Sequence, residues 1–106
     1  MAAQFNGDHF EQEVLQAELP VFVDFYADWC GPCKMMGPVV EALEKKYQGK
    51  MRFGKLNVDQ NMELAQAYRV VSIPMFMIFK NGSVAAKTLG AQSQEEMEQF
   101  IAQVIG

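Results

Sequence analysis

The stretch VFVDFYADWCGPCK, residues 21–34, decides the fold. Its first part, residues 21–27, is β-branched, aromatic or otherwise apolar except for Asp24. Because it shows no polar-apolar alternation, it predicts a central strand buried on both faces. The Gly-Pro turn that follows begins a helix, since proline suits the first helical turn. Cys30 therefore lies at a helix N-terminus, where free backbone N–H groups and the helix dipole favour a thiolate.

The second cysteine of this stretch is placed to form a disulfide with the first. Cys30 and Cys33 are the only cysteines in the chain. Cys33 lies about one helical turn further on and on the same side of the helix, so it can reach Cys30 and is expected to be less open to solvent. The pattern predicts thiol redox chemistry, with Cys30 as the nucleophile and Cys33 as the resolving thiol. Gly31 and Pro32 restrain the turn between them.

A structural or metal-binding role for the cysteine pair carries less weight. A purely stabilising disulfide would close a loop of four residues, and so short a loop gains little from closure. A structural zinc site usually takes four ligands, whereas the chain offers two cysteines and one histidine, His9. A zinc cluster shared by two chains stays open as an alternative, but we expect no metal site and assign His9 no role.

Asp24 is a charged residue in an otherwise apolar strand. A buried carboxylate is costly unless it is paired or neutralised, so we predict a raised pKa. Because the strand leads into the cysteine turn, Asp24 is a candidate proton acceptor for Cys33, directly or through a water molecule. The alternative is a hydrogen-bonded carboxylate with a structural role; its position in the strand that leads to the cysteines favours the functional interpretation.

Length and charge restrict the class of protein. A chain of 106 residues fits one domain, 1–106, and buries roughly two-thirds of its unfolded surface without a structural metal. The net charge is −4, with no basic cluster, which argues against nucleic acid or an anionic membrane as the partner. No apolar stretch is long enough to span a membrane, and residues 1–5 lack a signal-peptide pattern. We expect a cytoplasmic protein, although removal of a leader would leave the same sequence.

Capping and stop signals predict the helices. Asp8 and Glu11 form an acidic capping box that begins a first helix, which ends before Pro20. The helix after the cysteines runs to Gly49 and is expected to kink near Pro38. Two further helices are predicted, one over residues 61–68 and one that begins at a capping box of Ser93 and Glu96.

Apolar segments between the helices predict the remaining strands. Residues 51–58 form a second core strand. Residues 75–79 and 84–89 form a hairpin, because the Asn81-Gly82 pair between them tolerates the positive φ of a tight turn. If a short strand precedes Asp8, the succession is βαβαβαββα, an α/β fold with helices flanking the central strands.

Several residues along the chain match one family. They are the motif Trp29-Cys30-Gly31-Pro32-Cys33-Lys34 together with Asp24, Pro38, Lys55, Asp59, Ile73-Pro74, Asn81-Gly82 and Gly90. With them the chain resembles the thioredoxin family over nearly all of its length. The resemblance implies a mixed central β-sheet with helices on both faces, and a cis peptide bond before Pro74.

The resemblance also implies roles and partners. Lys55, on the strand adjacent to Asp24, is implied as the partner of that carboxyl group. A client peptide is expected to dock in extended form on a surface made of Trp29, Val71, Ile73, Pro74, Gly90 and Ala91. The implied partners are a thioredoxin reductase and client proteins with disulfides. No cofactor besides the Cys30–Cys33 disulfide is expected, and the chain is expected to be a monomer.

Three positions depart from the family pattern. Tyr26 stands where many members carry tryptophan, Asp28 where glutamate or alanine is usual, and Met75 where threonine is common. We expect these changes to tune partner choice and potential without removing the reaction, because both cysteines, Pro74 and Asp24 are kept.

The sequence thus predicts a small general protein-disulfide reductase. A rival from another class is a binding module of the same fold in which the cysteines are incidental. A third alternative is an oxidase or isomerase of exported proteins, for which a leader peptide and a higher potential would be expected.

Overall fold

A computed structural model describes residues 2–105 and has a mixed sheet of five strands at its centre. The strands are β1 (Ala3–Phe5), β2 (Val21–Tyr26), β3 (Arg52–Asn57), β4 (Met75–Lys80) and β5 (Ser83–Leu89). Their order across the sheet is β1-β3-β2-β4-β5. The β1–β3 and β3–β2 pairs are parallel, and the β2–β4 and β4–β5 pairs are antiparallel.

Strand β2 lies at the middle of this order, as its unbroken apolar sequence predicts. Its first five residues, from Val21 to Phe25, are buried, and Tyr26 is half-buried. Asp24 pairs in register with Lys55 of β3 on one side and with Phe76 of β4 on the other. The strand therefore brings Asp24 into the interior of the sheet, directly ahead of the cysteine turn.

Helices cover both faces of the sheet, which confirms the predicted fold class. They are a short π-helix (Glu11–Leu15) and four α-helices, α1 (Gly31–Met35), α2 (Gly37–Lys46), α3 (Met62–Ala67) and α4 (Gln94–Ala102). One core packs Phe22, Phe53 and Phe76 against buried side chains of α2 and α4. The other packs Val23 and Phe25 against Phe10, Val14 and their neighbours. None of the helices among residues 2–105 is both long and apolar enough to cross a membrane.

The helix after the cysteines is interrupted two residues before Pro38, near the predicted kink, and the interruption divides it into two helices. The break falls at Met36, between α1 and α2. Pro38 lies in the first turn of α2, where its missing N–H leaves no hydrogen bond unmade. The proline thus helps to begin a second helix, whereas the sequence predicted a bend within one helix.

The two predicted capping boxes have different outcomes. That of Ser93 and Glu96 is confirmed: each side chain accepts a hydrogen bond from the backbone N–H of the other, at 3.1 and 2.9 Å. The box predicted for Asp8 and Glu11 is wrong. Phe10 is the N-cap, without a side-chain bond, because Asp8 belongs to a preceding turn in which its N–H donates to Asn6 Oδ1 at 3.1 Å.

The β4–β5 hairpin has the predicted tight turn. Asn81 and Gly82 have φ values of +54° and +84°, the left-handed conformations that such a turn requires. Gly90, at φ +96°, ends β5, and the chain then passes towards the cysteine end of the sheet.

Candidate active site

The two cysteines form a disulfide at the start of α1. Their Cα atoms are 5.3 Å apart. Cys30 is the N-cap of α1, and its Sγ accepts a hydrogen bond from the backbone N–H of Cys33 at 3.2 Å. Pro32 lies in the first helical turn, as predicted. A negative charge on Cys30 Sγ would therefore be stabilised by a backbone donor and by the helix dipole.

The expected difference in exposure between the two cysteines is wrong. Cys30 is 4% exposed and Cys33 is 8% exposed, so Cys33 is not the more protected residue. In this disulfide form both pack with Ala27 and against half-buried Tyr26, Val58 and Ile73. The helix start, rather than solvent exposure, distinguishes Cys30.

The buried carboxyl group of Asp24 has a raised pKa, as the sequence predicts. The pKa of Asp24 is raised from an ordinary 3.8 to about 7, because burial raises it by more than the positive charge of Lys55 lowers it. The residue is 4% exposed, and its Oδ1 atom has no hydrogen-bond partner among the described residues. At neutral pH this group can both accept and release a proton.

A cavity connects Asp24 with the disulfide end of the sheet. It has a volume of about 630 Å³ and is lined by Asp24, Lys55, Tyr26 and Cys33, among others. This volume is ample for water molecules. Asp24 and Cys33 therefore border one water-accessible cavity.

Lys55 lies beside Asp24 without forming a direct ion pair with it within residues 2–105. Its Nζ lies 4.3 Å from the centroid of the Tyr26 ring. The Tyr26 hydroxyl in turn donates to Gln4 Oε1 at 3.2 Å. Tyr26 thus lines the cavity of the carboxyl group, whereas the sequence identified it only as a departure from the family pattern.

The residues expected to bind client proteins lie on loops and differ in exposure. Trp29 is 71% exposed and Val71 is 90% exposed. Ile73 is half-buried, Pro74 is buried, and the peptide bond between them is cis, as expected. The backbone N–H of Gly90 donates to Pro74 O at 2.8 Å, which joins this loop to the loop of Gly90 and exposed Ala91.

An acidic residue in the turn after β3 binds the indole of Trp29. The indole Nε1 of Trp29 donates to Asp59 Oδ2 at 2.8 Å. Asp59 is itself positioned by buried Asn57, whose Oδ1 accepts from the backbone N–H of Asp59 at 2.9 Å. Asp59 belongs to the family pattern, but the sequence alone gives it no role and does not single out Asn57. An asparagine that ends a buried strand just before a turn is the signal that could have found it.

Gln92 is a second residue that sequence reasoning missed. Its Nε2 lies within hydrogen-bond distance of Thr88 Oγ1 (3.1 Å), Gly90 O (3.2 Å) and Leu89 O (3.4 Å). Its backbone N–H donates to the sulfur of buried Met36 at 3.3 Å. Gln92 therefore fixes the loop of Gly90 on the helix break. No local pattern indicates this, because the contacts join three separate elements.

Thiol–disulfide exchange is the chemistry that a disulfide in this setting performs, and it places the chain among the thiol–disulfide oxidoreductases. No group of three or more potential metal ligands is found in the part of the chain that the structure describes. The family model for thioredoxin matches residues 1–103, and the chain belongs to the thioredoxin family.

Individual relatives agree with the family model. The chain is 47% identical over 92 residues to a thioredoxin of Pseudomonas aeruginosa, covering 87% of this chain and 85% of that protein. It is 44% identical over 100 residues to thioredoxin 1 of a Nostoc species, covering 94% of each. It is 40% identical over 101 residues to a thioredoxin of Rickettsia felis, covering 95% of this chain and 96% of that protein.

Proposed function

We propose that the chain is a general protein-disulfide reductase in which Cys30 is the nucleophile and Cys33 the resolving thiol. The Cys30 thiolate attacks one sulfur of a client disulfide, and the other client sulfur leaves as a thiolate. Cys33, once deprotonated, attacks Cys30 Sγ, which breaks the bond between Cys30 and the client and releases the second client sulfur as a thiolate. The client has then received two electrons, and the Cys30–Cys33 disulfide has formed. The observation that carries this proposal is the hydrogen bond from the Cys33 N–H to Cys30 Sγ at the start of α1.

Asp24 is proposed to accept the proton that Cys33 loses. The group is buried, its pKa is about 7, and it lines the same cavity as Cys33. A base is most effective when its pKa is close to the working pH. The positive charge of Lys55 is proposed to keep the pKa of Asp24 from rising further, which makes Lys55 its electrostatic partner.

The client is proposed to bind as an extended segment beside Ile73 and Pro74. The exposed apolar side chain of Trp29, which directly precedes the nucleophile, and that of Val71, two residues before Ile73, support this proposal, because exposed apolar side chains offer a contact surface. Gly90 and Ala91 carry little or no side chain, so a partner backbone can approach them closely.

The reaction cycle is proposed to be closed by a thioredoxin reductase, which supplies two electrons and two protons to the Cys30–Cys33 disulfide. We place the cycle in the cytoplasm and in a single monomeric domain, 1–106. A reducing direction suits a compartment where thiols are kept reduced. The cycle needs no cofactor bound to this chain, since the disulfide itself carries the electrons.

Insulin reduction with dithiothreitol as the electron source tests the proposal. The wild-type chain should accelerate precipitation of the reduced insulin B chain, and Cys30→Ser should abolish the acceleration. Asp24→Asn should slow it by about tenfold or more, since positioned general bases contribute roughly 10²–10⁴-fold. A folded wild-type chain with no activity above the dithiothreitol background would overturn the proposal.

The rival binding-module function makes a different prediction for a double substitution. If the cysteines are incidental, a chain carrying both Cys30→Ser and Cys33→Ser should support its partner as well as the wild type does. If the chain is a reductase, the double variant should be inactive while circular dichroism shows the same fold.

A further inference from the structure

Tyr26, Lys55 and Gln4 form a connected set next to Asp24, and the proposed reaction gives no role to Tyr26 or Gln4. Lys55 Nζ lies over the Tyr26 ring, 4.3 Å from its centroid. The hydroxyl group of the same ring donates to Gln4 Oε1 at 3.2 Å. The ring is therefore fixed at its polar end while its face holds the ammonium group.

The sheet register explains why these side chains meet. Gln4 of β1 pairs with Lys55 of β3, and Lys55 pairs with Asp24 of β2. The three residues thus form one row across three parallel strands. Tyr26 follows Asp24 by two positions and lies on the same face, so its ring can reach back across Lys55 to Gln4.

The ammonium group of Lys55 has two competing sites. A lysine in register with an aspartate on a neighbouring strand can form a direct ion pair. Yet no such pair joins Lys55 and Asp24 among the described residues, and Asp24 Oδ1 has no hydrogen-bond donor. Cation–π attraction and ion pairing therefore compete for one ammonium group.

We propose that Tyr26 is a positioning residue: its ring, tethered to Gln4, holds the Lys55 ammonium group away from direct pairing with Asp24. This inference rests on the proposed function of Asp24 as a proton acceptor. A directly paired carboxylate would hold its negative charge to a lower pH and would be a weaker base for the Cys33 thiol. The tyrosine keeps the carboxyl group basic enough to take that proton near neutral pH.

Other charged groups line the same cavity and are common to all Tyr26 variants. They are Lys34 of α1, Glu41 and Glu44 of α2, and Asp28 of the turn after β2. Strand β4 contributes the uncharged Phe76 opposite Asp24. All of them stay unchanged when Tyr26 is substituted, so a difference between Tyr26 variants reports the Tyr26–Lys55 contact.

The direct test is the pH titration of the Asp24 carboxyl carbon by NMR in the oxidised protein. Tyr26→Met keeps most of the side-chain volume but removes the aromatic face, and it should lower the pKa of Asp24 by about one pH unit, the strength of a partly buried cation–π contact. Tyr26→Phe keeps the face and should restore most of the wild-type value. If Tyr26→Met does not fold, Tyr26→Leu replaces it in the same comparison.

Repeating the Tyr26 substitution in a Lys55→Gln chain distinguishes positioning of the ammonium group by Tyr26 from an effect of burial alone. In a chain that carries Lys55→Gln, there is no ammonium group to release, so Tyr26→Met should shift the pKa of Asp24 by less than half as much. Equal shifts in the two backgrounds, no shift in either, or a rise in the original background would each overturn the proposal.

Kinetics distinguish this inference from the proposed function on which it rests. The pH profile for release of a Cys30 mixed disulfide should move down with Tyr26→Met by the same interval as the titration. If Asp24→Asn releases the mixed disulfide as fast as the wild type, Asp24 is not the proton acceptor. The NMR titration still decides whether Tyr26 positions Lys55, because it requires no activity.

Discussion

At the scale of one residue, the buried carboxyl group of Asp24, which the proposed reaction uses, lowers the stability of the folded chain when it is charged. Its pKa in the folded chain, about 7, lies above the ordinary 3.8. Between these two values the folded chain binds more protons than the unfolded chain, so stability falls as the pH rises from about 4 to about 7. A buried charge without a direct partner is the physical cause.

Asp24→Asn should therefore stabilise the oxidised protein at pH 8 by up to about 4 kcal/mol and change little at pH 4. The asparagine amide is neutral at both pH values, so no charge has to be buried. Urea unfolding of both proteins at pH 4, 6 and 8 measures the effect. If the difference in unfolding free energy between the two proteins is the same at all three pH values, the raised pKa of Asp24 is contradicted.

The hydrogen bond between Trp29 and Asp59 leads to a second prediction about single residues. Asp59 Oδ2 holds the exposed indole at 2.8 Å. Asp59→Ala should release the ring and raise KM for a protein client by about two- to tenfold, the range expected from losing one exposed hydrogen bond, with kcat changed less. Glu18→Ala removes an exposed charge of the same sign before β2, at the opposite end of this strand from the indole, and should leave KM unchanged. An unchanged KM in Asp59→Ala would mean that the bond does not orient Trp29 for binding.

At the scale of elements, the contact of β1 with β3 depends on a glycine. Phe5 of β1 is buried, and its ring covers Gly54, so that a Cβ atom at position 54 would overlap it. Gly54→Ala should therefore destabilise the protein by about 1–3 kcal/mol through overpacking.

Gly37→Ala is the matched control, since a Cβ atom at position 37 meets nothing within 4 Å beyond its two chain neighbours and the backbone of its own helix. Because position 37 lies in the first turn of α2, Gly37→Ala should leave the free energy of unfolding unchanged or raise it by up to about 1 kcal/mol. The midpoints of urea unfolding compare the two variants. Equal midpoints would contradict the packing that the structure describes for Phe5.

Local signals predicted elements better than they predicted contacts. Asn81-Gly82 and the Ser93–Glu96 capping box act within a few residues, and both turn and cap have the predicted form. The box at Asp8 failed because a nearby asparagine, Asn6, competes for the same backbone N–H. The helix break lies at Met36, two residues before Pro38. A proline is compatible with the first turn of a helix as well as with a bend, so the sequence did not distinguish the two.

The candidate site was predictable where its chemistry lies in one short motif. Cys30 and Cys33 follow from their spacing, and the raised pKa of Asp24 follows from a charge within an apolar strand. The contact of Lys55 with Tyr26 did not follow from the sequence, because it depends on the register in which β2 and β3 pair, and 25 residues separate these strands along the chain. The role of Gln92 depends in the same way on a loop folding back on α1 and α2.

At the scale of the whole molecule, solubility and stability should respond to pH in opposite ways. The net charge is −4 at pH 7, and the isoelectric point is about 4.9. Near pH 5 the protein therefore has little charge and should precipitate at the lowest concentration of polyethylene glycol. Yet Asp24 is mostly protonated at that pH, which favours the folded state.

Measuring the precipitation midpoint at pH 5, 6 and 8 tests this opposition. Asp24→Asn should follow the wild-type solubility profile closely, because the buried carboxyl group adds little to the surface charge. Its stability profile should differ from that of the wild type, because only the wild type must bury a charge at high pH. A solubility minimum well away from pH 5 would show that surface patches, rather than net charge, control association.

The position of Trp29 has a practical consequence for experiments on this molecule. It is the only tryptophan of the chain, it is 71% exposed, and it directly precedes Cys30. The fluorescence of the protein excited at the red edge of its absorption therefore arises from one indole at the mouth of the site. A client that covers this ring shifts its emission to shorter wavelengths, so the protein carries its own optical reporter and binding can be followed without a label.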